Sequence, residues 1–189
     1  YILNIKVYGD NLFIYVIDIE STKTRLVHVV KNNIYDNKDV LFQTEYRHIG
    51  RDDNFITDFS FYNNDFSQTK SHIFYEYEKQ FDFKTFDQSS LNFKMQNTSN
   101  DTYLRAENIV SDLKENMNIM ENSLGLNLFS NNLSINFEAS VYEDLNKGKS
   151  DRYEYIIPSF NFIKQFDNFK DLDGKLSLSS KNQVRNYST

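Results

Sequence analysis

Few side chains in this 189-residue sequence have the types and spacing that chemistry needs. The three histidines, His28, His48 and His72, stand apart, without the H-x-x-x-H or His/carboxylate spacing of a metal site. They read as surface histidines or as residues lining a polar interior. Asp52 and Asp53 are adjacent carboxylates, but they fall in GRDDN (residues 50–54), where bonding of Asp and Asn side chains to their own backbone makes a turn. Asp167, Asp171, Asp173 and Gly174 have the composition of a calcium loop. They lack its alternate-position ligands and its terminal Glu, so an Asp-Gly hairpin turn is the expected structure. There is no G-x-S-x-G, no phosphate-binding glycine loop and no cysteine, which removes thiol catalysis, disulfides and thiolate metal sites. No catalytic set, cofactor or metal is expected. What remains is a set of cations, Lys94, Lys175 and Lys181, each on the polar parity of an alternating stretch. They are candidates to meet anionic groups, or simply to keep a wall wetted.

The elements that position them follow from composition and period. A net charge of −6 gives no basic footprint, so nucleic acid is not an expected partner. Hydrophobic residues make up only 39% of the chain, yet it holds 17 Phe and 13 Tyr. Too few aliphatics for a thick interior and too many aromatics for disorder point to a thin apolar layer spread over many strands. No stretch approaches the roughly 20 apolar residues of a membrane-spanning helix, whereas a barrel strand needs only about 9–11 alternating ones. With an apolar run at Tyr1 and a strand-like run near Thr189, the chain reads as a piece of something larger.

Residues 133–162 show the pattern best. Leu133, Ile135, Phe137, Ala139 and Val141 share one parity, and Ser134, Asn136, Glu138 and Ser140 the other, which is a strand with one apolar face. The link EDLNKGKSD then supplies turn residues, and a second arm returns over residues 152–162. Pro158 lies in that arm. Proline cannot donate to a sheet ladder, and the apolar parity drifts from Tyr153, Tyr155 and Ile157 to Phe160 and Phe162, so a bulge is expected there.

The same reading predicts strands over 1–8, 12–19, 24–30, 40–49, 55–61 and 73–78, and again over 91–96, 124–128 and 176–187. Polar turns are expected at 9–11, 32–39, 50–54, 63–70, 131–132 and 167–174. Phe74 sits on the polar parity of its strand. Residues 100–121 break the alternation; Ile109, Leu113 and Met117 recur at helical spacing, but an extension plus a loop is the favoured reading. About ten sequential strands without interleaved helices make an all-β antiparallel meander.

Alternation alone leaves the apolar faces free to pack inward in a soluble β-sandwich or outward against lipid in a barrel. Tyr46, Phe61, Tyr142, Tyr153 and Phe162 near strand ends suit the rims of a membrane interface. The motifs SNDTYLR (99–105), the strand with YEDL (133–145) and DRYEYIIPSFNF (151–162) then resemble the barrel domain of the lipopolysaccharide-assembly outer-membrane protein family (LptD, the organic-solvent-tolerance family) in its alphaproteobacterial form. LFQTEYRHI (41–49), DFSFYN (58–63), DGKLSLSS and NYST add to the likeness, which covers about the last three-quarters of the chain.

The resemblance implies one partial domain over residues 1–189, an open and incomplete part of a large transmembrane β-barrel in the outer membrane of a Gram-negative bacterium. It implies insertion of lipopolysaccharide into the outer leaflet, without catalysis. The implied partners are outer-membrane lipids, lipopolysaccharide, an LptE-like lipoprotein plug and an LptA-like periplasmic bridge. That bridge would dock on a jellyroll domain that has no counterpart in these residues. Lys94, Lys175 and Lys181 would then line the lipopolysaccharide path. A porin-like solute channel and a soluble extracellular sandwich that binds a ligand are the alternatives. Because an incomplete barrel has two unpaired sheet edges, the isolated chain is expected to aggregate without detergent. Scattering and a denaturant titration check this, since a sharp reversible transition of a soluble monomer is the contrary result.

Overall fold

The computed structural model describes the backbone of residues 2–8, 11–17, 25–35, 39–63, 69–167 and 175–187, and the side chains of 41–63, 69–148, 150–166 and 176–187. The alternating stretches form β1 (Ile2–Tyr8), β2 (Asn11–Ile17), β3 (Arg25–Tyr35), β4 (Asp39–Ile49), β5 (Asp53–Asn63), β6 (Lys70–Gln80) and β7 (Gln88–Thr98). After a single helical turn, α1 (Tyr103–Ala106), come β8 (Ile119–Ser130), β9 (Leu133–Asp144), β10 (Tyr153–Asp167) and β11 (Lys175–Tyr187). β1 and β2 pair with each other, and β3 to β11 make one nine-stranded sheet in strict sequence order. Every pairing is antiparallel. The meander is therefore as expected, and the sheet is open, with β3 and β11 at its edges.

Directly opposed residues of an antiparallel sheet share a face. One row of such pairs runs His48, Phe55, Tyr77, Phe93, Leu124 and Ala139. Another on the same face runs Leu91, Leu126, Phe137 and Phe160. The opposite face carries Arg47, Ile56, Glu76, Lys94, Ser123, Ser140 and Ile156 in one row, and Glu45, Asp58, Phe74 and Gln96 in the next. The first face is apolar and is knitted by ring contacts, Tyr46 to Phe55 at 5.3 Å, Phe55 to Tyr75 at 5.8 Å and Tyr75 to Phe93 at 5.9 Å. The second is mostly polar.

Burial runs opposite to that of a water-soluble sheet. Phe59, Phe61, Ile73, Phe93, Leu124 and Phe137 of the apolar face are exposed, while Gln43, Asp58, Ser60, His72, Gln96 and Ser140 of the polar face are buried. What covers the polar face is the connection of residues 99–118, whose Tyr103, Leu104, Ile109 and Leu113 pack in one cluster with Leu41, Tyr62 and Phe74 of the sheet, Met120 of β8 and Leu145 just past β9.

One expectation needs correction. The turn placed at 32–39 starts too early, because β3 runs on through Tyr35, and Asn32 and Asn33 pair across to Phe42 and Leu41. Polar Asn residues suggested a turn, but pairing with β4 satisfies their backbone as a ladder does. Residues 100–121 are a loop plus a strand extension, as expected: one helical turn and an irregular path lead into β8, which already begins at Ile119. Their helical spacing reflects burial of Ile109 and Leu113 against the sheet, not a helix. Of the two readings of His72, surface or polar interior, the structure has the second, since it is buried on the polar face. The bulge at Pro158 is present, as a register shift between Ile156 and Ser159 against both neighbouring strands, with a cis Ile157–Pro158 bond. The turns at 9–10 and 168–174, with Asp171, Asp173 and Gly174, lie outside the described residues.

The 50–52 turn depends on one glycine. Its amide donates to the Asp53 carbonyl at 2.7 Å, and a Cβ at Gly50 would stand 2.8 Å from that same oxygen and closer still to the Asp53 carboxylate. A Cβ on Gly125 would meet only ordinary contacts near 3.9 Å. Gly50→Ala should therefore lower stability by about 1–3 kcal/mol, the range for overpacking, while Gly125→Ala is tolerated. Unfolding midpoints of the two variants in denaturant test the difference.

Candidate functional site

The feature that distinguishes this sheet is the covered part of its polar face, built from β4, β5, β6 and β7 below and residues 99–118 above. Gln43 of β4 is the main fastener. Its side-chain amide donates to both carboxylate oxygens of Asp58, at 3.1 and 3.0 Å, and to the Val110 carbonyl of the covering segment at 2.8 Å. Gln96 of β7 does the same job further along, donating to the Leu113 carbonyl at 2.6 Å while its oxygen accepts the Glu121 amide at 2.9 Å. An irregular segment laid on a sheet leaves carbonyls that no ladder satisfies, and an unsatisfied buried carbonyl costs about 1–3 kcal/mol. The two glutamines supply the missing donors.

Between them lies a chain of polar side chains. Ser60 Oγ is 2.6 Å from His72 Nδ1 and 2.6 Å from the Tyr103 hydroxyl, and His72 Nε2 is 3.4 Å from Asp58 Oδ1 without forming a hydrogen bond. Serine, histidine and aspartate are the residue types of a hydrolytic triad. Here they act as a fastener: Ser60 is 1% exposed, its oxygen is already shared with two partners, and no substrate carbonyl has room to reach it. Burial pushes the Tyr103 hydroxyl up to about 12, so it stays protonated and able to donate. Burial likewise lowers Lys114, whose ammonium donates to the Ile109 carbonyl of its own segment.

Ion pairs tie the margins. Arg47 bridges Glu45 on its own strand and Asp112 of the segment, the latter at 2.6 Å, and Lys70 lies 3.7 Å from Glu107. Arg152, in the connection before β10, donates to Asp101 at 2.9 Å and to Glu143 at 2.6 Å, and these carboxylates hold its guanidinium above its usual range. Beside the segment an open cleft of about 600 Å³ is lined by Arg47, Asn54, Glu76, Glu78, Asn92, Lys94, Glu115 and Ser123 among others.

The lysines singled out from sequence are not brought together. Lys94 lies in that cleft, held between Glu76 at 3.4 Å and Glu121 at 3.1 Å, so its charge is more than compensated. Lys181 is exposed on β11, opposite Asn161 in the row that continues through Asn136 and Asn127 of the polar face. Lys175 starts β11 opposite Asp167, and its side chain lies outside the described residues. Strand order sets Lys94 four strands from the other two. Among the described residues no group of His, Asp and Glu forms a metal site.

Sequence reasoning missed Gln43, Asp58, Ser60, Gln96 and Tyr103. The one signal that pointed to them was apolar residues on the wrong parity, Phe74 above all, because an apolar side chain on a polar face needs a cover. Gln43→Ala should leave both the Asp58 carboxylate and the Val110 carbonyl short of a donor, a loss of about 2–3 kcal/mol for a charged hydrogen bond. The expected result is faster amide hydrogen exchange over residues 103–113 with β8 and β9 unchanged; equal exchange in variant and parent would show that Gln43 fastens nothing.

No family model, no curated protein and no solved structure matches this chain.

Proposed function

We propose that this chain is part of the wall of a large outer-membrane β-barrel, with its apolar face against lipid and its polar face toward the lumen, and that the barrel inserts lipopolysaccharide into the outer leaflet. The observation that carries the wall reading is the inversion of burial: Phe59, Phe61, Ile73, Phe93, Leu124 and Phe137 face outward on one side, while Asp58, Ser60, His72 and Gln96 are enclosed on the other. In a bilayer the first face is solvated by acyl chains and the second by lumenal water or by a folded-in segment. A soluble sandwich would need a second sheet over the apolar face. The lipopolysaccharide cargo, the LptE-like plug and the LptA-like bridge rest on the resemblance of the 99–105, 133–145 and 151–162 motifs.

A solute channel is the second reading, and a specific observation favours it. The segment of residues 99–118 lies fastened on the polar face beside a charged cleft of about 600 Å³, which suits a passage narrowed for small hydrophilic molecules better than one for a lipid.

Photo-reactive residues installed singly in the full-length protein in cells separate these readings. Positions 59 and 137 should give phospholipid adducts, and positions 92 and 181 lipopolysaccharide adducts that fall several-fold with Lys175→Glu and Lys181→Glu. Lys94→Glu, in contrast, should act mainly through repulsion by Glu76 and Glu121. Phospholipid adducts without any lipopolysaccharide adduct would overturn the cargo and leave the channel; absence of both would overturn the wall.

A further inference from the structure

The apolar face is not uniform. Where β6 turns into β7, residues 81–87 form a cleft of about 390 Å³ with side chains of β7 and β8, lined by Phe81, Phe83, Phe86, Leu91, Leu126 and Leu128, with Thr85 the only polar side chain. Leu91 and Leu126 are directly opposed and belong to the apolar row that continues into Phe137, so the cleft opens onto the face assigned above to lipid. It is a recess where the rest of that face is a flat sheet.

Charge is placed at its margin. Lys79, the residue before the last in β6, holds its ammonium 5.7 Å from the centre of the Phe81 ring, and Lys84 is exposed within the turn. Neither forms an ion pair among the described residues. Asp53, directly opposite Lys79, lies 3.5 Å from His48 Nε2, Asp87 accepts the backbone amide of Asn131 at 2.9 Å, and Asp82 is exposed within the turn, so that among the described residues none of these carboxylates is paired with Lys79 or Lys84. An amphipathic lysine at the end of a lipid-facing strand extends its stem along apolar surface and its charge toward the headgroups.

The end of the sheet matters as well. Residues 81–87 lie at the same end as the short connections 50–52 and 131–132, while the longer connections 99–118 and 145–152 lie at the other. Barrels of this kind keep their short turns on the periplasmic side. The anionic group within reach of the cleft is then that of an inner-leaflet phospholipid.

We propose that the cleft at residues 81–87 is a binding site for an anionic phospholipid, one acyl chain lying among Phe81, Phe83, Phe86, Leu91, Leu126 and Leu128 and the headgroup phosphate meeting Lys79 and Lys84. This rests on the barrel-wall reading and adds to it a site that prefers one class of lipid over the general annulus.

These 189 residues hold no tryptophan, so once any tryptophan elsewhere in the full-length protein is replaced by phenylalanine the emission reports a single position. The full-length protein carrying Phe83→Trp, or Phe59→Trp as the reference on the open apolar face, is reconstituted in vesicles containing brominated phosphatidylcholine or brominated phosphatidylglycerol. Quenching at position 83 should be at least two-fold stronger by the anionic lipid at equal mole fraction, and alike for both lipids at position 59. Lys79→Gln with Lys84→Gln should erase the preference without abolishing quenching, and Asp82→Asn should increase it. Headgroup-independent quenching at position 83, or displacement of the brominated lipid by lipopolysaccharide but not by unlabelled phosphatidylglycerol, would overturn the site. Quenching at 59 but not at 83 removes the site and keeps the wall, whereas no quenching at either position removes both.

Discussion

A carboxylate with no access to water has to be met by donors, and Asp58 is such a group. It is 0% exposed, and it is answered by Gln43 of the neighbouring strand, with His72 close by. Leaving it without a partner would cost several kcal/mol. Gln43 in turn reaches the Val110 carbonyl, so the need of one side chain in the sheet is coupled to the placement of a segment far away in sequence. The cover over the polar face, the aromatic and aliphatic cluster beneath it and the ion pairs at its margin are all arranged around keeping that polar surface dry and paired.

The other face follows from the same arrangement. Among the described residues, Phe59, Phe93, Leu124 and Phe137 of the apolar face remain outward over adjacent strands. Water penalises such a surface at about 25 cal/mol per Å² of apolar area, and a bilayer does not. Charge on the polar side is compensated locally: Arg47 sits between Glu45 and Asp112, and Lys94 between Glu76 and Glu121. Neither cation projects a field that would draw in a polyanion.

Strand positions were legible because a period of two survives in single sequences: the row from Leu133 to Val141 reads the same in the chain and in the sheet. Which face meets which medium was not, since alternation is unchanged when inside and outside are exchanged. The covering segment was illegible for a different reason. Its partners, Gln43, Ser60 and Gln96, are 67, 43 and 17 residues away, and its own pattern records only the spots where Leu104, Ile109 and Leu113 touch down. The end of β3 was misjudged because Asn residues, common in turns, here pair in a ladder.

The bulge in β10 makes the alternation of that strand come in two halves. Ile157 and Pro158 together stand opposite Ala139 on one side and Val184 on the other, so everything from Ser159 onward is out of phase by one residue with Tyr153 to Ile156. The extra residue works as a phase correction. Without it, Phe160 and Phe162 would turn to the polar side and Asn161 to the apolar side. A one-residue insertion or loss elsewhere in β10 would throw its two halves out of phase again unless a matching change at 157–158 restored the count.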